Sequence, residues 1–294
     1  MQNSSDCKNI DRWLEAVRAQ FVSTAPDLLS LFEVYAAEAR FGRQYIASGL
    51  DKLSGTARII EIGAGAMLLS CQLVREGYDV TALEPIGAGF SHFDRMRAVV
   101  LLAAQVHDCR PEILECPAES MPVNGGFDFA FSVNVMEHVG NVGLVLQKVG
   151  MSLNTNGTYQ FTCPNYSFPY EPHFNLPTLV SKAWTEKILG KFFMKSGRVI
   201  DAPETWRSLN WITTGQVIRS VKSMPELSLT FNKAMLVSTL ERVVSDRRFA
   251  SRRSRGARIF LGMLVASRMH VLLQWIPVRL QPIMDCSIKK HLRA

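Results

Sequence analysis

The sequence predicts an α/β fold built on a mostly parallel sheet, on three observations. Short β-branched runs alternate with helix-length amphipathic stretches from residue 58 to residue 163. Two glycines, Gly63 and Gly65, stand where the first run gives way to a helix. An acid, Glu84, closes the second run. Alternation at this pitch makes crossover units, and the right-handed crossover carries every strand's C-terminal end to one edge, where ligands bind.

The elements follow in order. Residues 10–50 read as helical, because Leu14, Val17, Phe21, Leu28, Leu31, Phe32 and Tyr35 recur at three-to-four spacing. Arg58–Ile62 is the first strand, and Met67–Glu76 the first crossover helix, with Gly77 as its stop. Tyr78–Leu83 is the second strand and residues 91–107 the second helix. Ile113 and Leu114 mark a weak third strand, Phe127–Phe131 a fourth, Val142–Leu153 a helix and Thr158–Cys163 a fifth strand after an Asn156-Gly157 turn. Beyond lie a helix over Thr213–Ser223, an alternating strand over Leu227–Phe231 and a long helix over Lys233–Ile276, interrupted near Ser254–Gly256. Gln281–Lys289 makes a final strand. A second glycine pair, Gly87 and Gly89, reads as loop flexibility.

Composition bounds the function. A chain of 294 residues with 47% hydrophobic residues has room for a real core, which excludes a disordered chain or a disulfide-stapled miniprotein. The net charge of +7 is local. Arg242, Arg247, Arg248, Arg252, Arg253, Arg255 and Arg258 face one acid, Asp246, and the rest of the chain is close to neutral. A uniformly basic nucleic-acid binder is thereby disfavoured. Met1–Lys8 is polar, and the six cysteines (7, 71, 109, 116, 163, 286) show no paired spacing, so a cytoplasmic protein without a zinc site is expected. Ile259–Ile276 is the most apolar stretch, but Arg268 and His270 interrupt it, which disfavours a spanning helix.

The glycine turn selects a cofactor class. Glycines between strand and helix admit a ligand close to the backbone, and an acid after the next strand suits paired ribose hydroxyls. A dinucleotide fold places a third glycine where this chain has Leu68, and a pyrophosphate would be repelled by Glu61. That carboxylate suits a cation, so S-adenosylmethionine, with its ammonium and sulfonium, is favoured over NAD or FAD.

At this point the chain resembles the class I S-adenosylmethionine-dependent methyltransferases, in their broad small-molecule branch. The resemblance runs in order through IIEIGAGA (59–66), Glu84, CPAESMP (116–122), FDFAFSVNVMEHV (127–139) and LVLQKVGMSLNTNGTYQFTCP (144–164). It implies a Rossmann-like seven-stranded sheet, order 3-2-1-4-5-7-6, with strand seven antiparallel, helices on both faces and a helical cap. It implies cofactor contacts from Glu61, Gly63, Ala64, Gly65, Glu84, Pro85, Ala118, Glu119 and Asn134. Pro117 stands where an aspartate often reaches the adenine amine, so Glu119 or the Ala118 amide takes that place. The expected organisation is a helical cap over 1–55, the cofactor-binding core over 56–163, and an aromatic and proline-rich substrate loop, helix and strand six over 164–231. A basic and apolar helical insertion over 232–280 and a final strand and tail over 281–294 complete it.

Transfer of a methyl group needs alignment, and a base only when the acceptor must lose a proton. The loop Pro164–Pro177 is stiff and aromatic, and it leaves the ligand-bearing edge. Its His173 and Glu171, with His138 after strand four, are the candidates for acceptor chemistry. The expected reaction is methylation of a hydroxyl on a small molecule or on a lipid- or glycan-linked intermediate. The alternatives are an RNA methyltransferase, or a non-catalytic membrane- or RNA-binding protein on this scaffold. Base stacking has little support, since Phe249 is the one aromatic in the arginine stripe. Three readings of 242–276 compete: a solvated helical cap, a peripheral membrane element, or a phosphate site.

Overall fold

The computed structural model describes residues 9–85, 92–123, 126–194, 201–246, 249–250 and 253–292. The expectations for Met1–Lys8, for Gly87 and Gly89, and for Arg247, Arg248 and Arg252 fall outside the described residues.

The first strand shows why the sheet forms. In β1 (Arg58–Ile62), Ile59, Ile60 and Ile62 are all fully buried. A strand apolar on both faces must be covered on both, as in the middle of a parallel sheet. It pairs in parallel with β2 (Asp79–Leu83) on one side and β4 (Phe127–Val133) on the other. β3 (Glu112–Leu114) lies outside β2, and β5 (Leu153–Pro164) outside β4. Two late strands complete the sheet, β6 (Leu227–Phe231) and β7 (Ile283–Lys290). β7 runs antiparallel between β5 and β6, with Phe161 and Phe231 both opposite Cys286. The order is therefore 3-2-1-4-5-7-6 with strand seven reversed, as the resemblance implied.

β5 starts earlier than expected. Asn156 and Gly157 do not precede the strand but lie inside it, where the pairing with β4 shifts register between Phe127 and Phe129. Asn156 takes a left-handed φ of 67°, and a Cβ on Gly157 would lie 2.9 Å from the carbonyl oxygens of Asn154 and Phe127. The turn chemistry is spent on a bulge.

Helices cover both faces. α1 (Ile10–Thr24) is capped by Asn9, whose side chain accepts from the Asp11 amide, and it buries Trp13, Leu14, Val17 and Phe21. The Trp13 indole N–H donates to the Leu68 carbonyl at 2.9 Å. α2 (Leu29–Tyr45) is pinned by Arg43, which makes two 2.7 Å bonds to Glu76 at the end of α3 (Leu68–Arg75). With α4 (His92–Val106), these helices share one apolar core. On the other face, α5 (Val142–Ser152) buries Val145, Leu146 and Val149 against the sheet.

The loop after β5 is more structured than expected. Tyr170-Glu171 pairs with Leu176-Pro177 as a small hairpin, turned at Asn175 with φ 51°. Two helices without a clear sequence signal follow, α6 (Lys182–Phe193) and α7 (Ala202–Ser208). Their core is aromatic: Phe174, Phe193 and Trp206 touch at ring separations of 4.6–5.8 Å, and Tyr166 stacks on Trp211 at 5.2 Å. α8 (Thr214–Lys222) then leads into β6.

The helical stretch expected over 233–276 breaks near Ser254–Gly256 as expected, and it breaks a second time at Arg268, which was not expected. The chain makes α9 (Met235–Ser245), α10 (Arg255–Ala266) and a 3-10 segment, Met269–Trp275. Ser254 accepts from the Ala257 amide and so starts α10 afresh, while Arg268, at φ 59°, turns the chain through 86°. The Ser267, His270 and Gln274 stripe is broken by that turn, and His270 is buried against Glu241 at 3.1 Å. Both ends of the insertion lie at the C-terminal edge of the sheet. The Asn232 amide donates to Asp285, and the Asn165 side chain, just after β5, donates to the Val278 and Gln281 carbonyls.

Candidate functional site

The turn after β1 is shaped by three left-handed residues, Gly63, Gly65 and Met67, with φ of 75°, 53° and 64°. The Gly63 and Ala64 amides both donate to the Leu83 carbonyl, tying the turn to the end of β2. A Cβ on Gly63 would lie 2.6 Å from the Val135 methyls, so only glycine fits. The Gly65 amide donates to Glu84 Oε2 at 2.8 Å.

Two carboxylates face this turn. Glu61 is buried and accepts a short bond from the Ser70 hydroxyl. Burial pushes its carboxyl up to about 8, against the Ser70 bond, and the nearby charge of Glu84 adds to the rise. Burial raises Glu84 too, while the Gly65 amide and Arg97 oppose it. Two desolvated acids side by side favour a bound cation. Pro85 follows directly. Ala118 is buried in a one-turn helix, and Glu119 Oε1 accepts from the Asn141 amide at the start of α5. Asn134 takes a left-handed φ of 55° where β4 ends, its amide bonded to Thr162.

The candidate acceptor residues form a second group beside the first. His138 lies in the turn after β4, three residues beyond Val135, and its Nδ1 meets the Ser208 hydroxyl at 2.8 Å. His173 Nδ1 meets Glu171 Oε1 at 2.6 Å, and Glu171 also accepts from the Tyr166 hydroxyl and the Phe174 amide. The two imidazoles lie 5.6 Å apart, ring to ring. Burial pushes His138 down to about 3, helped by His173 and Lys182. For His173 burial works the same way, but the bond and charge of Glu171, then Glu137 and Glu38, carry it above the ordinary range.

Glu137 is the residue the sequence reasoning missed. It is fully buried, and neither carboxylate oxygen has a hydrogen-bond partner among the described residues. Its Oε1 lies 3.9 Å from His173 Nε2 and 4.0 Å from His138 Nε2. Burial pushes its carboxyl up to about 7, with His173 opposing and Glu171 adding. The acid beside His138 in the strand-four segment was the available signal. What it lacked was His173, which lies 36 positions on and meets it only through the fold of the loop.

Sheet order, reversed seventh strand and glycine turn together define the class: this is a class I S-adenosylmethionine-dependent methyltransferase fold. The chain belongs to the family of Uncharacterized protein Rv1509 of Mycobacterium tuberculosis, to which it is 42% identical over 282 residues, 96% of this chain and 95% of the relative. It is also 33% identical over 116 residues to the Ubiquinone biosynthesis O-methyltransferase of Azorhizobium caulinodans, over 38% of this chain and 41% of that enzyme. No family model matches. Among solved structures, Haemonchus contortus phosphoethanolamine N-methyltransferase 2 in complex with S-adenosyl-L-methionine aligns with a TM-score of 0.48 and 14% identity, over 84% of this chain and 51% of that one. An S-adenosylmethionine-dependent methyltransferase from Mesorhizobium loti aligns with a TM-score of 0.48 and 13% identity, over 80% of this chain and 92% of that one.

Proposed function

We propose that this chain transfers the methyl group of S-adenosylmethionine to a hydroxyl of a small or lipid- or glycan-linked acceptor. One observation carries the reading. The cation-favouring cradle of Glu61, Gly63, Gly65 and Glu84 touches, through Val135, the turn that presents Glu137 and His138. Cofactor and proton-handling groups thus share one edge of the sheet.

The residues fit the cofactor. Gly63 and Gly65 take left-handed φ and let the turn pack closely on Val135 and Phe93, which holds its backbone amides at the end of β1. Glu61 offers charge to the methionine end, and Glu84 keeps Oε1 for ribose hydroxyls while Oε2 holds the Gly65 amide. When bound, the cofactor supplies a methyl group on positively charged sulfur. An attacking hydroxyl must shed its proton, and the Glu137, His138 and His173 cluster meets that need. Glu171 positions the His173 ring and fixes its Nδ1. The segment shared with an O-methyltransferase supports oxygen as the acceptor atom.

The insertion supports an acceptor met at a membrane surface. α10 buries no residue. Phe260, Met263, Leu272 and Trp275 are exposed, with Trp275 at 76%. Arg255, Arg258, Arg268 and Arg279 are exposed beside them, and no acid occurs between Asp246 and Asp285. Apolar side chains ringed by cations suit an anionic lipid surface. Among the described residues no single helix is long and apolar enough to cross a membrane; α10 and Met269–Trp275 pass that test only together, as a pair bent by 86°, and the contact proposed is a peripheral one. It sets the localisation proposed for the chain.

Calorimetry with S-adenosylhomocysteine tests the first claim: folded protein that binds none of it overturns the reading. Incubation with methyl-labelled cofactor and separate lipid and glycan fractions tests the acceptor. Label in an alkali-stable ether is the expected product, and label only in amines overturns the hydroxyl. Flotation with anionic and neutral vesicles tests the surface, and equal flotation with both, unchanged by arginine-to-glutamine substitutions at 255, 258, 268 and 279, overturns charge-driven docking.

A further inference from the structure

The three side chains at the acceptor end have a geometry that proton transfer alone does not require. Both imidazoles have Nδ1 engaged, His173 by Glu171 at 2.6 Å and His138 by the Ser208 hydroxyl at 2.8 Å. Each therefore turns Nε2 toward the same atom, Glu137 Oε1, at 3.9 and 4.0 Å. Glu137 has no compensating donor at either oxygen among the described residues, although it is fully buried. A buried carboxylate without partners is costly unless something positive meets it.

We infer that Glu137, His138 and His173 bind a divalent transition-metal cation that receives the acceptor hydroxyl. The three donor atoms lie within 4.8 Å of one another. Bonds of about 2.1 Å to a tetrahedral ion set neighbouring ligands roughly 3.4 Å apart, so each Glu–His separation closes by about half an ångström. One carboxylate and two imidazoles suit zinc or manganese better than magnesium or calcium. Glu171 and Ser208 stand where outer partners hold metal-bound imidazoles in the correct tautomer. Three protein ligands leave coordination positions open. There an acceptor hydroxyl would bind and give its proton to water at an open position, and its oxygen would then bond the methyl carbon as the methyl–sulfur bond breaks and neutral S-adenosylhomocysteine leaves. This assignment deepens the methyltransferase reading and rests on it for the acceptor, but not for the ion.

The test is calorimetry of the full chain, stripped of metal by chelation, against zinc and manganese chlorides, with S-adenosylhomocysteine titrated in parallel. Wild type is expected to take up one equivalent of ion. Glu137→Gln is expected to lose at least 100-fold in ion affinity while keeping its cofactor affinity, and Ser208→Ala to lose about 10- to 100-fold. The neutral amide of Glu137→Gln relieves a buried charge, so this variant keeps the fold. Absence of ion uptake by wild type, or equal uptake by Glu137→Gln and His173→Asn, overturns the metal site. If cofactor binding persists in that case, the methyltransferase reading stands with His173 and Glu137 acting directly on the proton.

Discussion

β1 and α10 are both written in apolar residues, yet they end in opposite surroundings. Ile59, Ile60 and Ile62 of β1 have no exposed surface, whereas α10 buries none of its residues and leaves Ile259, Phe260 and Met263 more than half exposed. The strand is satisfied inside the chain, since helices cover both faces of the sheet. The helix offers the same chemistry outward, among arginines and without an acid. Hydrophobic composition fixes a demand for burial, but which surface meets it depends on where the topology puts the element.

That contrast breaks if the two regions respond alike to truncation. Ile60→Ala is expected to lower unfolding free energy by about 2–5 kcal/mol in chemical denaturation, because a cavity opens in the sheet. Gly63→Ala comes next. Its φ of 75° and the 2.6 Å approach to Val135 predict a loss of about 1–3 kcal/mol, with S-adenosylhomocysteine affinity falling at least tenfold by calorimetry.

Glu61 sharpens the comparison by showing a polar group held inside the core. Its carboxyl is raised from 4.5 to about 8 on folding, so the folded chain holds that proton more tightly than the unfolded one. The resulting stability is fully present below about 4.5 and is lost as pH rises through about 8. Wild-type melting temperature should fall across that window, and Glu61→Gln should flatten the part due to this group. Cofactor affinity should rise with pH over the same range in wild type alone, as the carboxylate that meets the cation forms. A melting curve as steep in Glu61→Gln as in wild type would rule this account out. The smallest effect belongs to the outer face. Phe260→Ser with Trp275→Ser should change unfolding free energy by no more than about 0.5 kcal/mol each, while reducing vesicle flotation several-fold.

Much of the sheet was legible because its signals are local. The Arg58–Ile62 run, the glycine turn, Gly77 and the Leu227–Phe231 alternation each announce an element within a few residues. The glycine turn and its two carboxylates were legible for the same reason, since these residues come from two successive strand ends. The helices α6 and α7 were not, because they are held by aromatic packing of Phe174, Phe193 and Trp206 rather than by their own periodicity. Nor was the break at Arg268, a backbone choice that its sequence does not mark.

By itself, the sequence determined the crossover topology and the glycine turn that joins Glu61, Gly63, Gly65 and Glu84. Strand and helix periods, glycine φ freedom and the placing of Glu61 and Glu84 are properties of short segments. Only the tertiary structure decided that Glu137, His138 and His173 meet, and that the arginine-flanked α10 faces outward. Both depend on loop closures, at Asn165 and through Ser208, whose partners lie tens of residues apart in the chain and adjacent in space.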